Sequence, residues 1–156
     1  QLFVKGDRYR IEYLGGVKTE LGIAGLTIVR GDKRKVWYIY SQRRLVLSVP
    51  VTEMDLLPTS VILDGEIRRT FIGDAVVGTR SALLYEVEVQ RQSGHSEKYY
   101  EWVDVERQVL LKLLSQDQDW WVEYDHLVLS NQPDYFFDPP LGYRTVEAQE
   151  AVPLKK

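Results

Sequence analysis

Strict alternation of polar and apolar residues constrains this chain more than any other feature of its sequence. Residues 8–13 read Arg-Tyr-Arg-Ile-Glu-Tyr, and residues 85–90 read Tyr-Glu-Val-Glu-Val-Gln. Successive side chains of a β-strand point to opposite faces, so each run predicts a half-buried strand. In the first run we expect Tyr9, Ile11 and Tyr13 to face the interior and the intervening charged residues to face solvent. A one-residue slip in register would bury three charges.

Turn signals divide the chain into many short segments of this kind. Residues 31–34 read Gly-Asp-Lys-Arg between two apolar runs and predict a hairpin turn. Similar runs recur from residue 35 to residue 130, with turn residues about every 8–12 positions. The chain contains 19 Val and 10 Tyr but only 5 Ala, which favours strands over long helices. The pattern predicts a mainly β fold, arranged as one long meandering sheet, a sandwich or a barrel.

Two short segments have helical signals. Thr52 is a suitable N-cap for a helix over residues 53–57, and residues 133–137 suit one helical turn before a Pro-Pro pair. We expect residues 147–156 to form a flexible C-terminal tail. No repeat or linker divides the rest, so the sequence predicts a single domain over residues 1–146.

Size and composition exclude several classes of protein. The chain has 156 residues, which is about one domain's worth. Its formal net charge of −3, with 28% charged and 44% hydrophobic residues, is typical of a globular domain. No apolar stretch approaches the roughly 20 residues of a membrane-spanning helix, so we expect no transmembrane segment. Nucleic-acid binders are usually strongly basic, so we expect no nucleic-acid partner.

The sequence offers few groups for catalysis or metal binding. It has no cysteine and only two histidines, His95 and His126, neither of which has a neighbour pattern suited to a metal site or a catalytic base. The acidic run from Asp117 to Asp125 lacks the turn glycine of a calcium loop and indicates a solvated turn. No nucleophile, phosphate-binding or dinucleotide motif occurs. We therefore expect no catalytic residue, no metal and no cofactor, and a protein that is not an enzyme.

Large aromatic residues on the predicted strands favour a ligand-binding function. Trp37, Phe71 and Trp102 all fall in strand-like runs. Such residues ordinarily pack in a core, but in a strongly curved sheet with few helices they also line a concave apolar cavity. The faces of Trp37 and Trp102 are ambiguous because their neighbours are apolar too. We assign both inward, because Trp buries the largest area and its N–H can reach a partner at a cavity edge.

A series of short motifs runs through residues 2–146. In order they are KGDRYRIE at 5–12, IVR-x-D at 28–32, VWYI at 36–39, R-x-x-x-IGD-x-V-x-G at 68–78, YEV at 85–87, W-x-D at 102–104 and PD-x-FF-x-PP-x-GY at 133–143. Their order and spacing resemble those of periplasmic proteins of the LolA/LolB-like lipoprotein-carrier superfamily, including its uncharacterised members. The resemblance implies a half-open β-barrel, in which a single curved antiparallel sheet stays unclosed and carries one or two short helices on its concave side.

The resemblance also implies a function. The carriers hold lipoprotein acyl chains between sheet and helices, where burial is worth roughly 0.8 kcal/mol per CH₂. We therefore expect a non-enzymatic carrier in the bacterial periplasm or cell envelope, whose concave apolar face holds a lipid or lipoprotein acyl chain. The alternative is a protein-interaction or envelope-stress sensor module that uses the same half-barrel, with an envelope protein as its partner. Because the chain begins with Gln1 rather than Met, we expect that a signal peptide has been removed.

The expected ligand-binding residues are strand residues on faces that alternation marks as apolar. They are Tyr9, Ile11, Tyr13, Trp37, Ile39, Leu45, Leu47, Phe71, Tyr85, Val87 and Trp102.

Overall fold

The structure, a computed structural model, describes residues 1–19, 21–117, 119–126, 128 and 130–148. Within these residues the strands are β1 (Leu2–Lys5), β2 (Arg8–Thr19), β3 (Gly22–Arg30), β4 (Lys35–Tyr40), β5 (Leu45–Pro50), β6 (Glu66–Val77), β7 (Arg80–Gln90), β8 (Ser96–Asp104), β9 (Leu110–Ser115), β10 (Trp121–Glu123) and β11 (Arg144–Glu147). Short 3₁₀ helices span Ser41–Arg43, Glu53–Asp55 and Asp134–Phe137. The predicted mainly β fold is confirmed.

The described strands form two sheets rather than the single sheet expected. The first has the order β1-β2-β3-β4-β5-β11, and the second has the order β10-β9-β8-β7-β6. All pairs of neighbouring strands are antiparallel except β5 and β11, which run parallel. Alternation in a sequence determines which side chains share a face, but it does not determine which distant strand pairs with which. The return of β11 to the edge of β5 is such a non-local pairing.

The chain divides into two compact units. Unit 1 comprises residues 1–57 together with the C-terminal segment from residue 130, and unit 2 comprises residues 58–129. The single domain expected over residues 1–146 stays a prediction. Of the expected tail, residues 149–156 lie outside the described residues, whereas Glu147 ends β11 and the Ala148 N–H donates to the Ser48 carbonyl at 2.8 Å.

The two predicted helical segments form single 3₁₀ turns. At the first, both the backbone N–H and the hydroxyl of Thr52 donate to the Asp55 carboxylate, at 2.7 and 2.8 Å. The next residue, Leu56, is already extended, so the turn ends before the helix predicted over residues 53–57 is complete. Helices on a concave side are not confirmed.

One face of the first sheet is filled by the segment that contains the 3₁₀ helix Asp134–Phe137. Phe137 is fully buried and packs against Ile28, Trp37 and Val46. Buried Arg30 holds this segment by donating to the Phe137 carbonyl at 3.1 Å and to Asp138 at 2.6 Å. We call residues 134–138 the Phe137 plug.

The Phe137 plug corrects one expectation about β2. Arg8 and Arg10 were expected to face solvent, but their side chains lie under the plug segment and are only 24% and 20% exposed. The Arg10 guanidinium lies 4.3 Å from the centre of the Phe136 ring, and Arg8 lies 5.7 Å from that of Phe137. Arginine can be covered in this way because its planar cation stacks on aromatic faces. Both faces of β2 are therefore used in packing.

Unit 2 has its own core on one face of the second sheet. Val87, Val89, Tyr99, Leu110 and Leu113 are buried there. Strands β7, β8 and β9 all supply residues to this core; those of β7 alternate, whereas the register of β8 with β9 shifts between Trp102 and Val103.

A carboxylate is buried on the same face of the second sheet. Glu101 lies opposite Tyr85 and Leu113, and its side chain has no exposed surface. Its carboxylate accepts a hydrogen bond from Arg69 Nη1 at 3.1 Å, and Arg69 also binds Glu66. Burial raises the pKa of Glu101 to about 7.

Candidate ligand-binding site

The face of the first sheet opposite the Phe137 plug is apolar across its central strands. Cross-strand partners share a face, and the register places Ile11 beside Thr27, Thr27 beside Tyr38, and Tyr38 beside Leu47. Alternation along the strands adds further members. We call this surface the apolar face, and its main side chains are Tyr9, Ile11, Tyr13, Tyr38, Tyr40, Leu45 and Leu47.

One end of the apolar face is covered by the segment that follows β5. Val51 and Leu57 pack against the buried residues Tyr9, Val29 and Val36. The Tyr9 hydroxyl donates to the Leu57 carbonyl at 3.2 Å, which secures the segment to β2. This end belongs to the core of unit 1.

The covering stops part of the way along the face. Along β2, Tyr9 is only 5% exposed, Ile11 is half-buried and Tyr13 is 38% exposed. On the neighbouring strands Leu47 is half-buried, whereas Tyr40 and Leu45 are buried against Leu21. Apolar side chains that stay accessible to solvent along a strand form a surface that a partner or a ligand can cover. The accessible part of the apolar face therefore runs from Ile11 toward Tyr13.

A cavity of about 570 Å³ lies at the accessible end of the apolar face. Tyr13 and Tyr40 belong to both the face and the cavity wall, and Leu21, Ile23 and Arg43 complete much of the lining. Leu21 also packs against the Tyr40 and Leu45 side chains, which joins the cavity to the face. Small-molecule sites commonly have volumes of about 300–1,000 Å³, so this cavity is large enough to hold part of a ligand.

A glycine-dependent bulge shapes the cavity wall. The pairing of β2 with β3 is interrupted between Glu12 and Val17, and Gly16 there has φ +77. A Cβ on Gly16 would lie 2.4 Å from Cγ2 of Ile23 and 2.8 Å from the Ala24 carbonyl oxygen. Only glycine fits this conformation and this spacing without displacing neighbours.

The polar groups of the face are tyrosine hydroxyls and the buried hydroxyl of Thr27. The Tyr40 hydroxyl is hydrogen-bonded to the Thr19 hydroxyl. Burial, with a smaller contribution from the charge of Asp55, raises the pKa of Tyr38 above its usual value, so this hydroxyl stays neutral near pH 7. Tyrosine therefore gives the face apolar rings with uncharged polar tips.

The structure brings together five of the residues predicted for the site. They are Tyr9, Ile11, Tyr13, Leu45 and Leu47, all on the apolar face. Trp37 and Ile39 lie on the opposite face of the same sheet, where they pack in the cluster that contains Phe137. The five residues of the apolar face and the pair Trp37 and Ile39 therefore do not share one surface.

The remaining predicted residues belong to unit 2. Val87 is in its core, and the rings of Tyr85 and Phe71 contact each other with centres 5.7 Å apart. Trp102 lies on the other face of the second sheet, because its cross-strand partners are Leu84 and Lys112, whereas Tyr85 pairs with Glu101. The Lys112 ammonium lies 5.1 Å from the Trp102 ring centre. This corrects the inward assignment of Trp102.

Sequence reasoning missed several residues of the site. Tyr38 and Tyr40 were not selected, because residues 36–40 are all apolar or aromatic and alternation cannot tell their faces apart. Leu21 and Arg43 lie beside strand ends, where no periodic pattern extends. One signal could have identified the tyrosines: in a hairpin of β4 with β5, the residues of β4 opposite Leu45 and Leu47 share their face, and these are Tyr40 and Tyr38.

The groups considered for metal binding lie apart in the described residues. No three His, Asp or Glu side chains among them are placed to hold a metal ion. The Asp117 carboxylate accepts a hydrogen bond from the Lys98 backbone N–H at 3.0 Å, as in a structured turn. Within the same residues, no helix is long and apolar enough to cross a membrane.

Comparisons with known proteins give no match. No family model matches this chain, and no curated protein or solved structure matches it. The resemblance to LolA/LolB-like carriers therefore stays a prediction based on the motifs in the sequence.

Proposed function

We propose that this protein is a non-enzymatic binding protein that holds the acyl chain of a lipid or lipoprotein on the apolar face of unit 1. The observation that carries the proposal is the incomplete covering of this face. The core segment covers Tyr9, while the surface from Ile11 to Tyr13 stays accessible and leads into the cavity. An acyl chain would complete the covering.

The chemistry of the face suits a flexible hydrocarbon chain. Each buried CH₂ group contributes roughly 0.8 kcal/mol, so a chain of moderate length gains enough to offset the entropy that it loses on binding. Tyrosine rings supply rigid contact area, and the hydroxyls of Tyr9 and Tyr40 already have hydrogen-bond partners. A bound hydrocarbon chain therefore leaves the hydrogen bonds of these two hydroxyls intact.

The cellular setting is part of the same proposal. The sequence motifs favour a half-open barrel with short helices on its concave side and a site of action in the bacterial periplasm or cell envelope. In that compartment an acyl carrier would shield lipid chains from the water between membranes.

Leu47→Glu tests the proposal. A carboxylate on the apolar face would lose its hydration under a bound chain, so we expect dodecanol to bind at least about tenfold more weakly than to the wild type. Isothermal titration calorimetry below the solubility limit of dodecanol measures this affinity. Leu141→Glu is the matched control, because Leu141 is 99% exposed and should keep wild-type binding.

A second variant separates binding from folding. Tyr13→Glu changes a residue that is already 38% exposed and should also weaken dodecanol binding, with an unchanged circular dichroism spectrum. If the wild type binds dodecanol and all three variants bind it equally well, the apolar face is not the site. If the wild type binds no amphiphile, the acyl-chain proposal is wrong and the protein-interaction alternative is favoured.

A further inference from the structure

Arg43 is the cationic group in the wall of the cavity. It ends the 3₁₀ helix Ser41–Arg43, directly after β4, and its side chain is exposed. Its Nη1 donates to the Leu21 carbonyl at 2.9 Å, which fixes the guanidinium beside the apolar residues of the wall. The other N–H groups of a guanidinium can still donate to a ligand, because arginine carries five such donors.

Arg43 shares with Arg34 and Arg44 the lack of an ion-pair partner among the described residues, whereas several other cations of unit 1 are paired. Of these three arginines it is Arg43 that lines the cavity. Arg30 pairs with Asp32 and Asp138, and Lys35 pairs with Glu147. In the described part of the chain, no Asp or Glu side chain forms an ion pair with Arg43 within 4.0 Å. A guanidinium at a cavity without a carboxylate partner there is suited to receive an anion from a ligand.

The same cavity also has an apolar part, beside the polar residues Ser41 and Gln42. Leu21, Ile23, Tyr13 and Tyr40 form this apolar part, and the last two continue into the apolar face. A ligand that satisfies both parts needs an anionic group at one end and a hydrocarbon chain at the other. The cavity would take the head group, and the chain would extend along β2 and β4 toward Ile11 and Tyr38.

We propose that the ligand is a single-chain amphiphile with an anionic head group, and that Arg43 binds the head group. This inference rests on the proposed function, because it assumes that the apolar face takes an acyl chain. A carboxylate and a phosphate share the required chemistry, since both accept two parallel hydrogen bonds from one guanidinium. The inference specifies which end of the molecule enters the cavity and which lipids the protein prefers.

The test compares four ligands of one chain length by calorimetry: dodecanoate, dodecyl phosphate, dodecanol and dodecyltrimethylammonium. We expect one or both anions to bind the wild type about tenfold more tightly than dodecanol, and the cation to bind more weakly than dodecanol. The better of the two anions identifies the head group as carboxylate or phosphate. The preference for the anion should shrink at high salt, because the site is partly open to solvent.

The Arg43→Gln variant tests whether Arg43 produces the preference for anionic ligands over dodecanol. This variant should bind the anions with the affinity that it has for dodecanol, while its dodecanol affinity stays at the wild-type value. Arg43→Lys should keep part of the preference, because it retains the charge and loses the planar donor pair. Arg34→Gln is the matched control, since Arg34 lies in the hairpin turn at the other end of β4 and should behave as wild type.

The possible failures are distinguishable. Equal binding of dodecanol and both anions by the wild type, or a preference that Arg43→Gln leaves intact, overturns the head-group assignment and leaves the acyl-chain proposal standing. Failure of dodecanol and of the anions to bind the wild type overturns the acyl-chain proposal, and the head-group assignment with it.

Discussion

At the scale of single residues, Glu101 shows how a buried charge couples folding to pH. Its carboxylate lies among apolar residues of unit 2, and its Oε2 atom has no hydrogen-bond partner in the structure. Arg69 supplies one hydrogen bond but is shared with Glu66. Burial outweighs this attraction and favours the protonated form of Glu101, which gives the side chain a pKa of about 7.

We predict that Glu101→Gln flattens the dependence of stability on pH. In the folded protein Glu101 holds its proton up to about pH 7, whereas in the unfolded chain it loses it near pH 4.5. The folded state thus binds more protons between these values, and the free energy of unfolding falls as pH rises through this window, by about 1–3 kcal/mol from this group. Glutamine carries a neutral amide that does not titrate, so the substitution removes the contribution of residue 101 to the pH dependence of stability.

Thermal melting at pH 5 and pH 8 measures the effect. The wild type should lose more stability between the two values than Glu101→Gln. Glu88→Gln is the control, because Glu88 pairs with Arg68 on the other face of the sheet and should keep the wild-type pH dependence. Identical pH dependence in the wild type and Glu101→Gln would contradict the prediction.

At the scale of elements, the Phe137 plug is a short segment that packs on a sheet. Phe137 is fully buried against β3, β4 and β5, and Arg30 holds the backbone of the plug in place. The segment has only one 3₁₀ turn, so it gains little from its own hydrogen bonds. Its position depends on side-chain contacts, of which the buried ring of Phe137 is the largest; Phe136 packs against Phe3, and Lys5 binds Asp134.

We therefore predict that Phe137→Ala destabilises unit 1 by about 3–5 kcal/mol, because it removes a fully buried aromatic ring and leaves a cavity. Chemical denaturation measures the loss. Tyr135→Ala is the matched control in the same turn, because Tyr135 is 75% exposed and should change stability by less than about 0.5 kcal/mol. Similar losses in both variants would show that the segment is not anchored by Phe137.

The same elements show what a sequence can and cannot predict. The hairpin turn at residues 31–34 was predicted correctly, because its turn residues separate two clear apolar runs, which form β3 up to Arg30 and β4 from Lys35. The use of both faces of β2 was not predicted, since the residues that cover Arg8 and Arg10 lie more than 120 positions away in the chain. Local alternation contains no information about such a cover.

At the scale of the whole molecule, the sequence predicts a mainly β protein but not its division into two sheets. The sheets separate between β5 and β6, and β11 pairs with β5 in place of β6, which is a contact between distant parts of the chain. The candidate site likewise was predicted only where local alternation is clear. Tyr9, Ile11 and Tyr13 were predicted together because they alternate on one strand. Trp37 and Trp102 were assigned from their size and their N–H donor rather than from alternation, and they lie on other faces.

The central claim is that an acyl chain lies on the apolar face of unit 1. Nuclear Overhauser effects between protons of dodecanol and methyl groups of the isotope-labelled protein test it directly, because they report only short distances. The account predicts such effects at the methyl groups of Ile11 and Leu47, and none at Ile39 and Val46, which lie on the opposite face beneath the Phe137 plug. Effects at Ile39 and Val46 without any at Ile11 and Leu47 would contradict it.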